Sequence, residues 1–205
     1  MIMSIWIIAC LSYLSLALIT LMPVLFARLK RIPPLPSGKN PFEKCDYFDK
    51  FHKDCLGEHH SRIEGTLLFW KRAALYNGRF HYYVLGWTIP ISIVMPLILT
   101  FVEIEGDVRL FFVLLSVHSA IMLSFYRALK TERNYKAFRN GESEFYDLQR
   151  RLLDRPEAFC NARLVSREDV QDLIIRNYFE KVEAIRRNVR AAETDSFPAL
   201  EDFLS

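Results

Sequence analysis

The sequence predicts an all-α membrane protein with three transmembrane helices and a cytoplasmic helical bundle, formed by extensions of the hairpin helices and a C-terminal amphipathic helix. The 205-residue chain is 51% hydrophobic and 25% charged, an ordinary average, but the two classes of residue are segregated. Residues 1–27 carry no charged side chain, residues 80–102 contain none apart from His81, and residues 110–126 contain only His118. Each run approaches the roughly 20 residues that a helix needs to cross about 30 Å of hydrocarbon.

The first apolar run, Ile2 to Ala27, has two interpretations. A cleaved signal peptide is one, but no positive residue precedes the apolar core, and the core is too long for a typical signal. We therefore expect an uncleaved anchor. The prolines between Ile32 and Pro41 remove helical hydrogen-bond donors and favour an extended linker.

The second and third runs, residues 81–102 and 108–126, form a pair around a short acidic turn. Soluble core helices seldom run so long without a polar face, which favours a transmembrane hairpin over a buried soluble pair. Lys and Arg residues flank the spans on one side only, with Arg109 as the exception. The positive-inside rule then places the N-terminus outside and the C-terminus in the cytoplasm. The net charge of +3 follows from this topology, and no direct nucleic-acid binding is expected.

The sequence predicts six parts along the chain: an N-terminal anchor (1–27), a proline-rich linker (28–41), a cytoplasmic helical segment (42–80), the hairpin (81–126), cytoplasmic helices (127–192) and an acidic tail (193–205).

Helical periodicity and capping signals define the cytoplasmic helices. We expect one helix to begin near Phe42 and run toward the second span, although its three glycines make an unbroken rod uncertain. A second helix is expected to continue from the third span through Arg127 to Leu153. The last helix has Ser166 as its predicted N-cap and Asp169 at the capping-box position. Its apolar face is predicted to pack on the other two helices.

The residue pattern gives little support for a metal site or a catalytic site. Cys45, His52, Cys55 and His59 share one broad helical face, but their spacing matches no common zinc motif, so we expect packed or surface roles and no metal. The four cysteines form no CxxC pair, and a disulfide framework is not expected. The sequence contains no GxSxG, HExxH or Walker A motif. We therefore predict neither an enzyme nor a cofactor.

The third span contains Ser116, Ala120 and Ser124 at every fourth position, with His118 nearby. Small residues at this spacing let helix backbones approach closely in lipid, and an imidazole at this depth should face another helix or a water-filled path. The functional interpretation is an oligomer contact or a pore lining. The alternative is packing within a single hairpin.

Six basic residues outside the spans are candidates for contact with anionic lipid or a phosphorylated ligand, or are simply solvated anchors on the inner side. They are Arg127, Lys130, Arg133, Arg186, Arg187 and Arg190.

Four segments carry a resemblance to a known family. They are Phe69 to Asn77 before the hairpin, Phe125 to Arg139 with Glu142 to Leu152 after it, and Phe179 to Ile185. In their aromatic, basic and acidic residues they resemble the SLATT two-transmembrane domains, bacterial effectors associated with nucleotide-signalled and other antiphage systems. The extra N-terminal span and the proline-rich linker depart from the simplest pattern of that family.

The resemblance implies a multi-pass protein of the bacterial inner membrane, held inactive until infection, that then oligomerises and forms a pore or disrupts the membrane. It further implies membrane lipids, further copies of the chain, and an upstream sensor protein or a nucleotide second messenger as partners. The alternative is a non-conducting adaptor that docks a soluble partner through its cytoplasmic helices. An intramembrane enzyme that depends on His118 ranks third.

Overall fold

The computed structural model describes residues 5–29, 40–101, 106–160 and 166–194. The described residues contain helices and no strand, and three of the helices are long and apolar enough to cross a membrane. The chain is thus an all-α membrane protein, as the sequence predicted. The elements are α1 (Ile5–Leu29), α2 (Lys50–Leu99), α3 (Gly106–Ala128), α4 (Thr131–Asp154), a 3-10 helix (Pro156–Phe159) and α5 (Arg167–Thr194).

The described residues divide into two compact units. The membrane unit comprises residues 5–29, 75–101 and 106–135, and the helical unit comprises residues 40–74, 136–160 and 166–194. The three candidate spans belong to the membrane unit: α1, the apolar second half of α2, and α3. Most of the predicted linker and of the predicted acidic tail lies outside the described residues.

The helix predicted to begin near Phe42 begins at Lys50 instead. At the predicted start the chain forms a turn instead, because the Asn40 side-chain oxygen accepts a hydrogen bond from the Phe42 N–H at 3.0 Å. Asp49 then caps α2, since its carboxylate accepts the His52 N–H at 2.9 Å. From Lys50 the helix runs unbroken to Leu99, through all three glycines that made its continuity uncertain.

The helix predicted to run without a break from the third span to Leu153 is interrupted at Leu129 and Lys130. Lys130 adopts a φ of 43°, in the left-handed region that ends helices. The side chain of Asn134 donates a hydrogen bond to the Leu129 carbonyl at 3.0 Å, which satisfies one acceptor at the break. The prediction was wrong here because neither glycine nor proline marks the position. The end before Pro156 is confirmed.

The helical unit has its own closed hydrophobic core. The predicted N-cap Ser166 is confirmed, since its hydroxyl accepts the Asp169 N–H at 3.1 Å and donates to the Asp169 carboxylate at 2.8 Å. Most of the apolar positions predicted on α2, α4 and α5 are buried, which agrees with helical periodicity. The most completely buried side chains include Phe42, Leu56, Ile63, Leu67, Phe145, Leu152, Ile174, Tyr178 and Val182.

Candidate functional site

His118 lies where all three membrane spans meet. In α1, the Tyr13 hydroxyl hydrogen-bonds to Nδ1 of the imidazole, and in α2 the Tyr83 hydroxyl lies 3.4 Å from Nε2. The indole of Trp87 packs edge-on against the imidazole, with ring centroids 5.8 Å apart. The sequence predicted that His118 would face another helix or a water-filled path, and in the structure its imidazole contacts side chains of two other helices.

The hydrogen bonds around His118 suit a neutral imidazole. A neutral imidazole has one donor and one acceptor nitrogen. The Tyr83 hydroxyl donates to the Ala17 carbonyl at 3.4 Å, so it is free to accept from Nε2–H. Tyr13 then donates to Nδ1. A charged imidazolium would donate from both nitrogens, so the Tyr13 hydroxyl would have to accept instead of donate.

Two further hydrogen bonds link α1 to α2. The Trp87 indole N–H donates to the Thr20 hydroxyl at 3.0 Å, and the Arg79 guanidinium donates to the Pro23 carbonyl at 3.0 Å. Arg79 thereby contacts the last turns of α1, where a cation is favoured by the negative end of the helix dipole. The N-terminal span is therefore attached to the hairpin by polar contacts along its length.

Ser116, Ala120 and Ser124 lie on an exposed face of α3, separate from the contacts of His118. Each serine hydroxyl donates to its own helix, to the carbonyl four residues earlier. Ser116 also lies 3.8 Å from the sulfur of Met95 in α2. The four residues predicted as one packing or pore-lining set thus divide into a span-to-span contact at His118 and an open strip of small residues, which we call the small-residue strip.

The six basic candidates fall into two groups. Arg127, Lys130 and Arg133 follow the third span in the membrane unit, and Arg186, Arg187 and Arg190 lie near the end of α5 in the helical unit. Arg127, Arg133, Arg187 and Arg190 are exposed, whereas Lys130 and Arg186 are half-buried.

Of the residues predicted on one histidine and cysteine face, His52, Cys55 and His59 lie on α2, whereas Cys45 precedes the start of this helix. All four belong to the helical unit, where the histidines contact other side chains. His52 is buried, and its two ring nitrogens lie 2.6 Å from the Asp49 carboxylate and 3.0 Å from the Asp172 carboxylate. His59 stacks on Phe179 with ring centroids 3.9 Å apart. The described residues contain no group of three or more potential ligands placed to hold a metal ion.

His59 also borders a groove of about 510 Å³ on the helical unit. Ile175 and Phe179 supply apolar surface, while Arg176, Glu180, Glu183 and Arg186 supply both signs of charge. Burial, followed by the nearby Arg186, Arg62 and His60, lowers the pKa of His59 to about 4. The imidazole is therefore neutral near pH 7, and its buried Nδ1 has no hydrogen-bond partner among the residues that the structure describes.

Sequence reasoning missed the partners of His118 and His52. Tyr13 and Tyr83 lie within the apolar runs and have no distinctive sequence context. Their hydroxyls were the only signal that they could form a hydrogen bond with a histidine. Asp172 lies 120 residues from His52, and no local pattern connects them.

Comparison of the chain with protein-family models, with curated proteins and with solved structures finds no match.

Proposed function

We propose that this chain is a membrane effector of a bacterial antiphage system, which oligomerises through its spans on activation and makes the inner membrane permeable. The helical unit lies in the cytoplasm in this proposal, with the N-terminus outside. The helical unit senses the trigger, and the membrane unit carries out the response.

The observation that carries the proposal is the contrast in packing between the two units. The most apolar stretches of α1, α2 and α3 have only 6%, 11% and 17% of their residues buried. The helical unit, by comparison, encloses many fully buried large side chains, such as Leu56, Leu152 and Tyr178. The helical unit buries its hydrophobic core without help from another chain. The spans leave most of their residues exposed, so they have surface available for contacts with other spans within the membrane.

The small-residue strip supports association of spans. Ser116, Ala120 and Ser124 are exposed, and the two serine hydroxyls are satisfied by their own helix. A second helix could therefore approach the backbone of α3 closely without burying an unpaired hydroxyl. The antiphage role itself rests on the resemblance of the hairpin flanks to SLATT domains.

The test is triggered toxicity in bacteria that express the full chain, read with a membrane-potential dye. We expect depolarisation when the native trigger is present, and we expect S116L together with S124L to abolish it by filling the strip. Ser92 on α2 is a matched control, because it is also exposed and also donates to its own helix, to the Ile89 carbonyl at 2.8 Å. S92L should leave depolarisation intact.

Depolarisation that persists unchanged in the double variant would refute assembly through the strip. Orientation is tested separately by cysteine accessibility in intact cells. Labelling of a cysteine introduced at Ser143 by a membrane-impermeant reagent would place the helical unit outside and overturn the proposed topology.

A second candidate function is a non-conducting adaptor, favoured by the groove beside His59. An apolar floor bordered by both signs of charge suits a peptide or a helix of a soluble partner better than it suits a small anion. An adaptor leaves the dye signal unchanged on activation. Its partner would be captured from native membranes by the full chain and lost with R186E, whereas R187E serves as the neighbouring control.

A further inference from the structure

We propose that the membrane unit holds one glycerophospholipid in a groove between α1 and the second half of α2, with the lipid phosphate bound by Arg79 and an acyl chain along the apolar lining. The groove has a volume of about 960 Å³. This inference does not depend on the effector function, because it concerns a binding site and not a response.

The groove extends along the membrane-spanning direction. Its lining on α2 runs from Arg79 to Ile98, a rise of about 28 Å at 1.5 Å per residue. This length is close to the hydrocarbon thickness of about 30 Å. A chain that starts at Arg79 therefore runs from one membrane surface toward the midplane inside the groove.

The middle of the groove suits hydrocarbon because its polar groups already bond within the protein. The Trp87 indole N–H donates to the Thr20 hydroxyl, and the Tyr83 hydroxyl donates to the Ala17 carbonyl. The Tyr13 hydroxyl hydrogen-bonds to His118. What the lining offers to an occupant at this depth is apolar, from side chains such as Leu16, Ile91, Val94 and Leu115. A polar ligand would lose its hydration there without compensating hydrogen bonds.

The end of the groove suits a phosphate. Arg79 is the only charged residue among the described residues of the lining. Among the described residues its guanidinium donates to the Pro23 carbonyl at 3.0 Å, and a guanidinium has five N–H donors in a planar fork that matches phosphate oxygens. Arg79 immediately precedes the charge-free run that begins at Phe80, so it lies at the depth of lipid headgroups. Charge and depth together identify a phospholipid as the occupant.

Gly86 gives a precise way to fill the groove. It lies in the lining, and a Cβ at this position would meet no atom within 4 Å, so a side chain added there starts in open space. Gly65 is the matched control. It lies in the same helix but in the helical unit, and a Cβ there also meets no atom within 4 Å.

The experiment uses the full chain in lipid nanodiscs that contain phosphatidylglycerol with a photoactivatable diazirine on its acyl chain. Cross-linked peptides are mapped by mass spectrometry. A parallel arm uses diacylglycerol with the same diazirine, which lacks the phosphate. We expect phosphatidylglycerol to label the groove side of α1 and α2, G86L to remove that labelling, and G65L to leave it intact.

The variant R79Q removes the charge and shortens the side chain but keeps an N–H donor at its end. It should reduce groove labelling by phosphatidylglycerol about tenfold, to the level of the diacylglycerol arm, because charge-assisted hydrogen bonds to the phosphate are lost. Labelling that is uniform around the three spans would overturn the proposal, and so would labelling that G86L does not change.

Discussion

The hydroxyl of Tyr13 in α1 hydrogen-bonds to Nδ1 of His118 in α3, although 105 residues separate the two. This contact joins the N-terminal span to the hairpin within the membrane, where an unpaired imidazole would be costly. Trp87 and Tyr83 of α2 surround the same imidazole. The first span is therefore more than a separate anchor, since it completes the environment of a polar residue in the third.

Removal of the Tyr13 hydroxyl should weaken this three-span contact. We expect Y13F to lower the free energy of unfolding in detergent by about 1 kcal/mol, the order measured for hydrogen bonds between membrane helices. Tyr82 is the matched control, because it belongs to the same unit but is 64% exposed. Equal stability of Y13F and Y82F in a denaturing-detergent titration would contradict a structural role for the bond.

The three spans could be predicted from sequence because the ability of a segment to cross a membrane depends on that segment alone. What matters is the length of its uncharged, apolar run. The contacts between the spans could not. The pairing of Tyr13 with His118 depends on how two helices face each other, and residue periodicity within either helix does not determine it.

The break at Lys130 illustrates the same limit within one chain segment. Helix propensity is a weak local preference, and Lys130 is an ordinary helix former. Propensity therefore does not mark the break. Local hydrogen bonds accompany it, such as that from the Asn134 side chain to the Leu129 carbonyl. Capping at Ser166 was predictable because the side chain and the backbone groups that it satisfies lie within four residues of one another.

His52 should make the helical unit less stable as the pH rises. Burial alone would lower its pKa, but hydrogen bonds to Asp172 and Asp49 outweigh burial, and the pKa is raised above its ordinary value of 6.5. The charged form is thus favoured in the folded chain. This stabilisation is fully present below pH 6.5 and is lost as the pH rises through the raised pKa.

The variant D172N tests this pH dependence. Thermal unfolding by circular dichroism at pH 6 and pH 8 should show a smaller stability loss for D172N than for the unmodified chain. The effect should shrink in high salt, because the Asp172 side chain is 74% exposed. Asp147 is an exposed carboxylate on α4, and D147N should behave as the unmodified chain does. An identical pH response in both variants would show that the Asp172 contact contributes nothing.

His59 should make the helical unit less stable as the pH falls. Its pKa is lowered to about 4, first by burial and then by Arg186, Arg62 and His60. The unfolded chain therefore binds a proton more readily than the folded chain, and stability falls as the pH drops from about 6.5 toward 4.

We expect H59F to reduce this acid-induced loss, because phenylalanine can stack on Phe179 and cannot be protonated. F179L is the control, since it removes the stack but leaves the titrating group in place. Thermal unfolding between pH 7 and pH 4.5 separates the two. Acid sensitivity that is unchanged in H59F would assign the loss to other groups.

Gly141 is the position where two helices of the helical unit leave no room for a side chain. It is buried in α4, and a Cβ there would collide with the Cγ2 methyl of Val189 in α5, while the Trp70 ring of α2 lies 3.5 Å away. Valine is branched at Cβ and its χ1 is stiff, so the methyl cannot easily move aside.

Alanine in place of Gly65 and alanine in place of Gly141 should therefore change the free energy of unfolding in opposite directions. G65A meets open space and should gain about 0.5–1 kcal/mol, because alanine favours the helix. G141A gains the same propensity but incurs an overpacking cost of about 1–3 kcal/mol, so it should destabilise the chain on balance. V189A added to G141A removes the colliding methyl. Chemical denaturation of G141A, V189A and the double variant should show that V189A costs less stability in the G141A background than alone, because close contact makes the two changes non-additive. Simple additivity would mean that α4 and α5 do not meet as closely as the Gly141 contact requires.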